Sequence, residues 1–189
     1  MRTVVGITGA SGTAVAVEFL KRCPGDKYLI ISRWGKSILY QETGLTPEAL
    51  APYVTTIFSN EDMNAPLASG TVPFDQYVIV PCSLTTLGRL SNGIGENLIA
   101  RVGEVALKEK RRLVLALRES PLSPIALDNA LKLSRCGAIL MPLCPAFYLK
   151  PRSVSEMVSQ FVDHLLATLN LPARPGWREE ALLPPKDLV

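Results

Sequence analysis

Three glycines spaced three apart enclose Thr8, Ala10 and Ser11 in the run Gly6-Ile7-Thr8-Gly9-Ala10-Ser11-Gly12. Residues this small let a backbone close on an anion, and the N–H groups that open a helix meet it with the positive end of the dipole behind them. Ser11 adds a hydroxyl donor. The run follows the apolar Thr3-Val4-Val5 and opens into the helix-periodic Thr13-Ala14-Val15-Ala16-Val17-Glu18-Phe19-Leu20. Strand, tight turn and helix in that order predict an anionic ligand at the first strand's end. The spacing is not the G-x-G-x-x-G of the ordinary dinucleotide fold, so a tight turn without a ligand stays open as the alternative.

Other residues suited to chemistry fall at comparable places. Lys27-Tyr28-Leu29-Ile30-Ile31-Ser32 reads as a buried strand that ends on Ser32, and Gln76-Tyr77-Val78-Ile79-Val80-Pro81-Cys82 as one that ends in Ser83-Leu84-Thr85-Thr86. Continuous apolar runs of this length belong to strands covered on both faces. Arg112 to Leu117 delivers Arg118 and Glu119 to the same edge, either as ligand groups or as a structural ion pair. Open α/β sheets bind ligands at the carboxyl ends of their strands. A helix over 97–109 puts Arg101 and Lys108 two turns apart on one face, where they address one anion or stand as solvated charges.

The elements that position these groups alternate strand and helix. Helices are expected over 33–43, from Pro47, over 124–133 and to about Leu169, with a fifth strand over 137–142. Trp34, Ile38 and Leu39 fall on one side of the second helix. Regular periodicity is lost from Thr55 to Pro73, and 62–70 reads as a functional or a plain surface loop. The pattern predicts a single α/β domain, a doubly wound parallel sheet with helices on both faces. A proline-rich tail, 172–189, is expected to dock on a neighbouring subunit.

With 189 residues, 48% of them hydrophobic, the chain supports one substantial core. A net charge of +3 from dispersed residues argues against nucleic acid. Cys23, Cys82, Cys136 and Cys144 form no C-x-x-C pair and the chain has one histidine, so no metal site is expected. No signal peptide and no membrane-spanning run is visible, and reduced thiols suit a cytoplasmic protein.

Taken together, the glycine run, Ala68-Ser69-Gly70, Pro81-Cys82-Ser83-Leu84-Thr85-Thr86-Leu87, Arg101 through Lys108-Glu109, Leu113-Val114-Leu115 through Arg118-Glu119-Ser120-Pro121-Leu122, and Pro145-Ala146-Phe147-Tyr148 resemble the UbiX/Pad1 family of flavin prenyltransferases, in order, from about Arg2 to Leu171. The resemblance implies transfer of a dimethylallyl group from dimethylallyl monophosphate to N5 and C6 of reduced FMN. The product, prenylated FMN, would pass to a UbiD/Fdc-type decarboxylase. It implies a single Rossmann-like (flavodoxin-like) domain over residues 1–171 and a large homo-oligomer, typically a dodecamer. It puts Gly9, Ala10, Ser11, Ser32, Ser83, Leu84, Thr85, Thr86 and Arg118 on FMN. Around the prenyl phosphate it puts Arg101, Lys108, Tyr148 and His164, with Glu119, Glu42, Lys108 and Ser11 as the catalytic set. No aspartate-rich D-D-x-x-D motif is present, so the transfer is expected to need no metal.

The sequence departs from that family at three places. Thr13-Ala14-Val15-Ala16 stands where A-x-Y-G is common, Val72 where many members carry an aromatic, and His164 where Arg or Lys is usual. Two other classes share the glycine turn. An atypical NAD(P)-dependent reductase would use Arg33 to read a 2′-phosphate, but no Tyr-x-x-x-Lys follows any tyrosine. A flavin-binding protein without prenyl transfer, or a flavoprotein decarboxylase of the phosphopantothenoylcysteine type, is the other; the latter needs a histidine near the first helices, and His164 lies in the last.

Overall fold

A computed structural model describes residues 1–182. Six parallel strands form one sheet: β1 (Arg2–Ile7), β2 (Asp26–Ile31), β3 (Thr56–Ser59), β4 (Gln76–Cys82), β5 (Arg112–Leu117) and β6 (Ile139–Leu140), in the order β3-β2-β1-β4-β5-β6. The helices are α1 (Thr13–Arg22), α2 (Arg33–Thr43), α3 (Leu84–Ser91), α4 (Leu98–Lys108), α5 (Pro124–Arg135) and α6 (Val154–Thr168). Strand order reverses between β1 and β4, and the crevice at such a switch point is where open α/β sheets bind ligands.

Alternate strand residues explain the layers. Val4, Ile30, Tyr77, Ile79, Leu113 and Leu115 share a core with Leu87 and Leu90 of α3, Val102 and Val105 of α4, and Leu133 of α5. Their neighbours Val5, Ile31, Val78, Val80 and Val114, equally buried, turn to the opposite face, where α1 packs Ala16, Phe19 and Leu20. All seven residues of β4 are buried, as its continuous apolar run requires. Register is in phase across the centre, Ile7 pairing with Ile31 and Gly6 with Ile79.

Four elements differ from the sequence reading. β3 lies inside the stretch expected to be irregular; as an edge strand of four residues with exposed ends it carries no apolar run to announce it. Ser83 to Thr86 does not end a strand but starts α3, whose Thr85, Thr86 and Gly88 are weak helix formers. The fifth expected strand shrinks to Ile139–Leu140, paired only with β5, although the Met141 and Leu143 N–H groups still donate to the Leu115 and Leu117 carbonyls beyond it. Trp34, grouped by its spacing with Ile38 and Leu39, is 66% exposed while Leu39 is buried.

The chain divides into two compact units, Met1–Cys144 and the part from Pro145 onward. In the second, α6 is capped by Ser153, which accepts from the Glu156 N–H, and carries an apolar stripe of Phe161, Val162, Leu165, Leu166 and Leu169. Arg174 clasps Asp163 and Ser159. Residues 183–189 of the expected docking tail lie outside the described residues. No helix among the described residues is long and apolar enough to cross a membrane.

Candidate active site

Thr8 ties the two strands that flank the crevice. Its N–H and hydroxyl both donate to the Pro81 carbonyl, at 3.2 and 2.8 Å, and its oxygen accepts the Ser83 N–H at 2.8 Å. The side chain is 1% exposed, so these bonds are made without competition from water. The Ser32 N–H donates to the Ile7 carbonyl at 3.0 Å and the Arg118 N–H to the Cys82 carbonyl at 3.3 Å. Gly9, Ser32, Ser83 and Arg118 therefore lie on four adjoining strand ends.

Two of these hydroxyls open helices. Ser32 accepts from the Gly35 N–H at 3.0 Å and Ser83 from the Thr86 N–H at 3.3 Å, with the Thr86 hydroxyl 3.2 Å away. A serine that caps a helix with its lone pairs keeps its proton to donate to a ligand. Gly9 lets the turn close on α2, since a Cβ there would stand 2.6 Å from the Trp34 Cβ.

The third helix start behaves otherwise. Gly12 caps α1 in the left-handed region, φ 106°, and has no side chain to offer the orphan N–H groups. Glu42, thirty residues on in α2, supplies the missing acceptor. Its oxygens take the Gly12 N–H at 3.0 and 3.1 Å, the Thr13 N–H at 2.8 Å and the Thr13 hydroxyl at 2.6 Å. Partial burial by itself would raise the carboxyl's pKa, but hydrogen bonds from the Ser11 and Thr13 side chains and from the Thr13 and Gly12 backbone outweigh it and hold the value below the ordinary one. The anion expected at the glycine turn is thus, in the chain by itself, the protein's own carboxylate.

Arg118 and Glu119 are both exposed, and the Glu119 carboxylate bonds the Ser120 N–H at 3.1 Å rather than the guanidinium, so the structural ion pair is not formed. Beneath this edge the Cys82 thiol is wholly buried, which pushes its pKa up to about 12.

Arg101 and Lys108 form a separate corner. Arg101 donates to the Ala68 carbonyl and to Glu104, each at 3.1 Å, while the Lys108 ammonium is paired with Glu109. Both lie against the 68–70 turn, Lys108 Nζ being 2.5 Å from where a Cβ on Gly70 would stand. Arg111 holds that turn by donating to the Gly70 and Val72 carbonyls, with its guanidinium 4.2 Å from the Phe74 ring centre. Lys108 precedes β5, so it stands at the edge where the strands begin, about 20 Å from the glycine turn at about 3.3 Å per residue. Arg101 and Lys108 thus share the 68–70 turn, and Lys108 is not brought to Ser11 within one chain.

In the C-terminal unit, Tyr148 packs edge-on against Trp177 with ring centres 5.9 Å apart. His164 lies on the exposed side of α6. Sequence reasoning missed Thr8, Thr13, Glu109 and Arg111. Thr8 carried a signal as a polar residue inside an apolar strand-to-turn run, and Thr13 as a departure from the A-x-Y-G pattern.

A crevice at the β1–β4 switch point, ringed by small residues, capping hydroxyls and an exposed arginine, defines an α/β nucleotide- or flavin-binding domain. A family model described as Flavoprotein matches residues 1–167, and the chain belongs to that family. It is 44% identical over 167 residues to the flavin prenyltransferase UbiX of Thermoplasma acidophilum, covering 88% of this chain and 93% of that one. Among solved structures, it resembles the dodecameric FMN-dependent Ubix-like decarboxylase of Escherichia coli O157:H7 with a TM-score of 0.90, at 35% identity over 94% of this chain and 99% of that one. It resembles AnUbiX (PadA1), solved in complex with FMN and dimethylallyl pyrophosphate, with a TM-score of 0.87, at 36% identity over 94% and 98%. Within the flavoproteins, the chain belongs with the UbiX/Pad1 flavin prenyltransferases; the reductase and the prenyl-free flavoprotein are not favoured.

Proposed function

We propose that the chain transfers a dimethylallyl group from dimethylallyl monophosphate to reduced FMN, forming prenylated FMN. The observation that carries this reading is the convergence of the glycine turn, Ser32, Ser83 and Arg118 on one sheet edge in a chain of this family. The donor set fits a flavin mononucleotide: hydroxyls and a guanidinium for a phosphate, and small residues for close approach of a flat ring. Gly9, Ala10, Ser11, Ser32, Ser83, Leu84, Thr85, Thr86 and Arg118 would hold it. Because Glu42 already occupies the Gly12 and Thr13 N–H groups, the phosphate is assigned to Ser32, the 83–86 hydroxyls and Arg118.

Reduced FMN supplies an electron-rich ring that accepts the alkyl group at N5 and C6. The protein's task is to stabilise the phosphate as its bond to the allylic carbon breaks and the electron pair leaves with oxygen, and to keep water from the carbon. Lys108 and Arg101 neutralise the departing phosphate; Tyr148 and His164 are assigned to it on chemistry alone. Glu119, with Glu42 and Ser11, handles the proton released from the ring. Since Lys108 stands a strand's length from its own glycine turn, we assign it to the turn of a neighbouring copy in a dodecamer. The domain is read as 1–171, with the tail from 172 docking on a neighbour, the protein as cytoplasmic, and a UbiD/Fdc-type decarboxylase as recipient of the product.

Incubation with reduced FMN and dimethylallyl monophosphate, with and without a chelator, tests this. Mass analysis of the released flavin should find the added five-carbon unit in both cases. Unmodified flavin would overturn the reading, and activity that vanishes with chelator and returns with magnesium would overturn its metal independence. Running dimethylallyl diphosphate in parallel separates the two donors.

A further inference from the structure

Thr13 is wholly buried, so its hydroxyl needs an acceptor within the protein, and Glu42 Oε2 provides it at 2.6 Å. The same oxygen takes the Thr13 N–H at 2.8 Å, so a single residue grips it twice. Glu42 has no comparable restraint on its own helix; it reaches from α2 to α1 across thirty residues of sequence, and its residue surface is otherwise exposed. Position 13 is also the first place at which this sequence leaves the A-x-Y-G pattern.

We infer that Thr13 is a positioning residue for the transfer reaction: its buried hydroxyl pins the Glu42 carboxylate to the glycine turn, beside the Gly12 and Thr13 N–H groups that also hold it. Held there as the acceptor of several N–H and O–H groups, Glu42 is ionised and can only accept. Without the Thr13 hydroxyl the carboxylate keeps its backbone contacts but can swing about them.

This inference rests on the prenyl-transfer reading, and its test separates the two. Thr13→Val keeps the side-chain shape and removes the hydroxyl; Thr13→Ala serves if the valine variant does not fold, and Thr13→Ser restores the bond. Steady-state kcat and KM for dimethylallyl monophosphate, the affinity for FMN by fluorescence quenching, and thermal unfolding of the flavin-free protein are measured for each, and for Thr13→Val combined with Glu42→Gln. Thr13→Val should lower kcat about tenfold, the scale of a hydrogen bond to a charged group, with KM and FMN affinity within about twofold. Thr13→Ser should restore the rate, and the double variant should match Glu42→Gln alone in both rate and melting temperature. A native rate in Thr13→Val, or losses that multiply in the double variant, would overturn the inference. A melting-temperature coupling with no change in rate would also overturn it, leaving Thr13 a helix cap. Absence of product from the native protein counts against the reaction itself.

Discussion

The ammonium of Lys108 is paired with the carboxylate of Glu109, the next residue in the chain, above the 68–70 turn. That hydrogen bond, seconded by the charges of Lys108 and Arg111, holds the Glu109 carboxyl below its ordinary pKa. A phosphate that comes to Lys108 must displace a carboxylate already there. Glu109→Gln should therefore lower KM for dimethylallyl monophosphate about two- to fivefold, the scale of an exposed pair, and less so at high salt. Steady-state kinetics at two ionic strengths checks this; a raised KM would make Glu109 the group that aims Lys108.

Thr8→Val replaces a buried hydroxyl by a methyl and strands both the Ser83 N–H and part of the Pro81 carbonyl's bonding. Leaving buried polar groups unpaired costs about 1–3 kcal/mol. Denaturant unfolding should register that loss with an unchanged slope, and FMN titration should find weaker binding, since Ser83 is seated by this bond. Unaltered stability would mean that water replaces the hydroxyl.

Glu119→Gln should keep the flavin and lose most of the turnover. Its carboxylate is not spent on Arg118, and the bond to the Ser120 N–H leaves lone pairs available for a proton. Absorbance of the purified variant measures retention, and a single-turnover assay measures the rate. A fully active glutamine variant would remove Glu119 from the catalytic set.

Glu42 gives the fold an acid-sensitive element. Its pKa is lower in the folded chain than the ordinary value of 4.5, so the stability it adds is complete above that range and is lost as pH falls through the lowered folded value. The melting temperature of the native protein should fall more steeply with acidification below about pH 4.5 than that of Glu42→Gln. Parallel slopes would show that the carboxylate gains nothing from the α1 turn.

The strands of the centre were legible because burial on both faces writes itself as uninterrupted apolar runs, as in Val78-Ile79-Val80. The glycine turn was legible because few residues besides glycine fit there. What stayed hidden depends on partners remote in sequence. Nothing around Glu42 announces that it caps a helix thirty residues away, and nothing in the seven-residue spacing of Arg101 and Lys108 tells which end of the sheet they reach. β3 was hidden because an edge strand of four residues needs only one apolar pair, Ile57-Phe58, to hold it.

The distance between the glycine turn and the Lys108 corner has a genetic consequence. A lesion at one edge of the sheet spares the other, so two differently damaged chains hold between them one whole set of groups. On the proposed assignment of Lys108 to a neighbouring copy's turn, cells that co-express a Ser11→Leu chain and a Lys108→Ala chain would build mixed particles, in which some sites combine the sound turn of one subunit with the sound lysine of another. At about one site in four for random, equal mixing, activity would return where each chain alone has none. Dominance, complementation and dosage at this locus would then be decided by the pool of subunits in the cell, not by any single folded polypeptide.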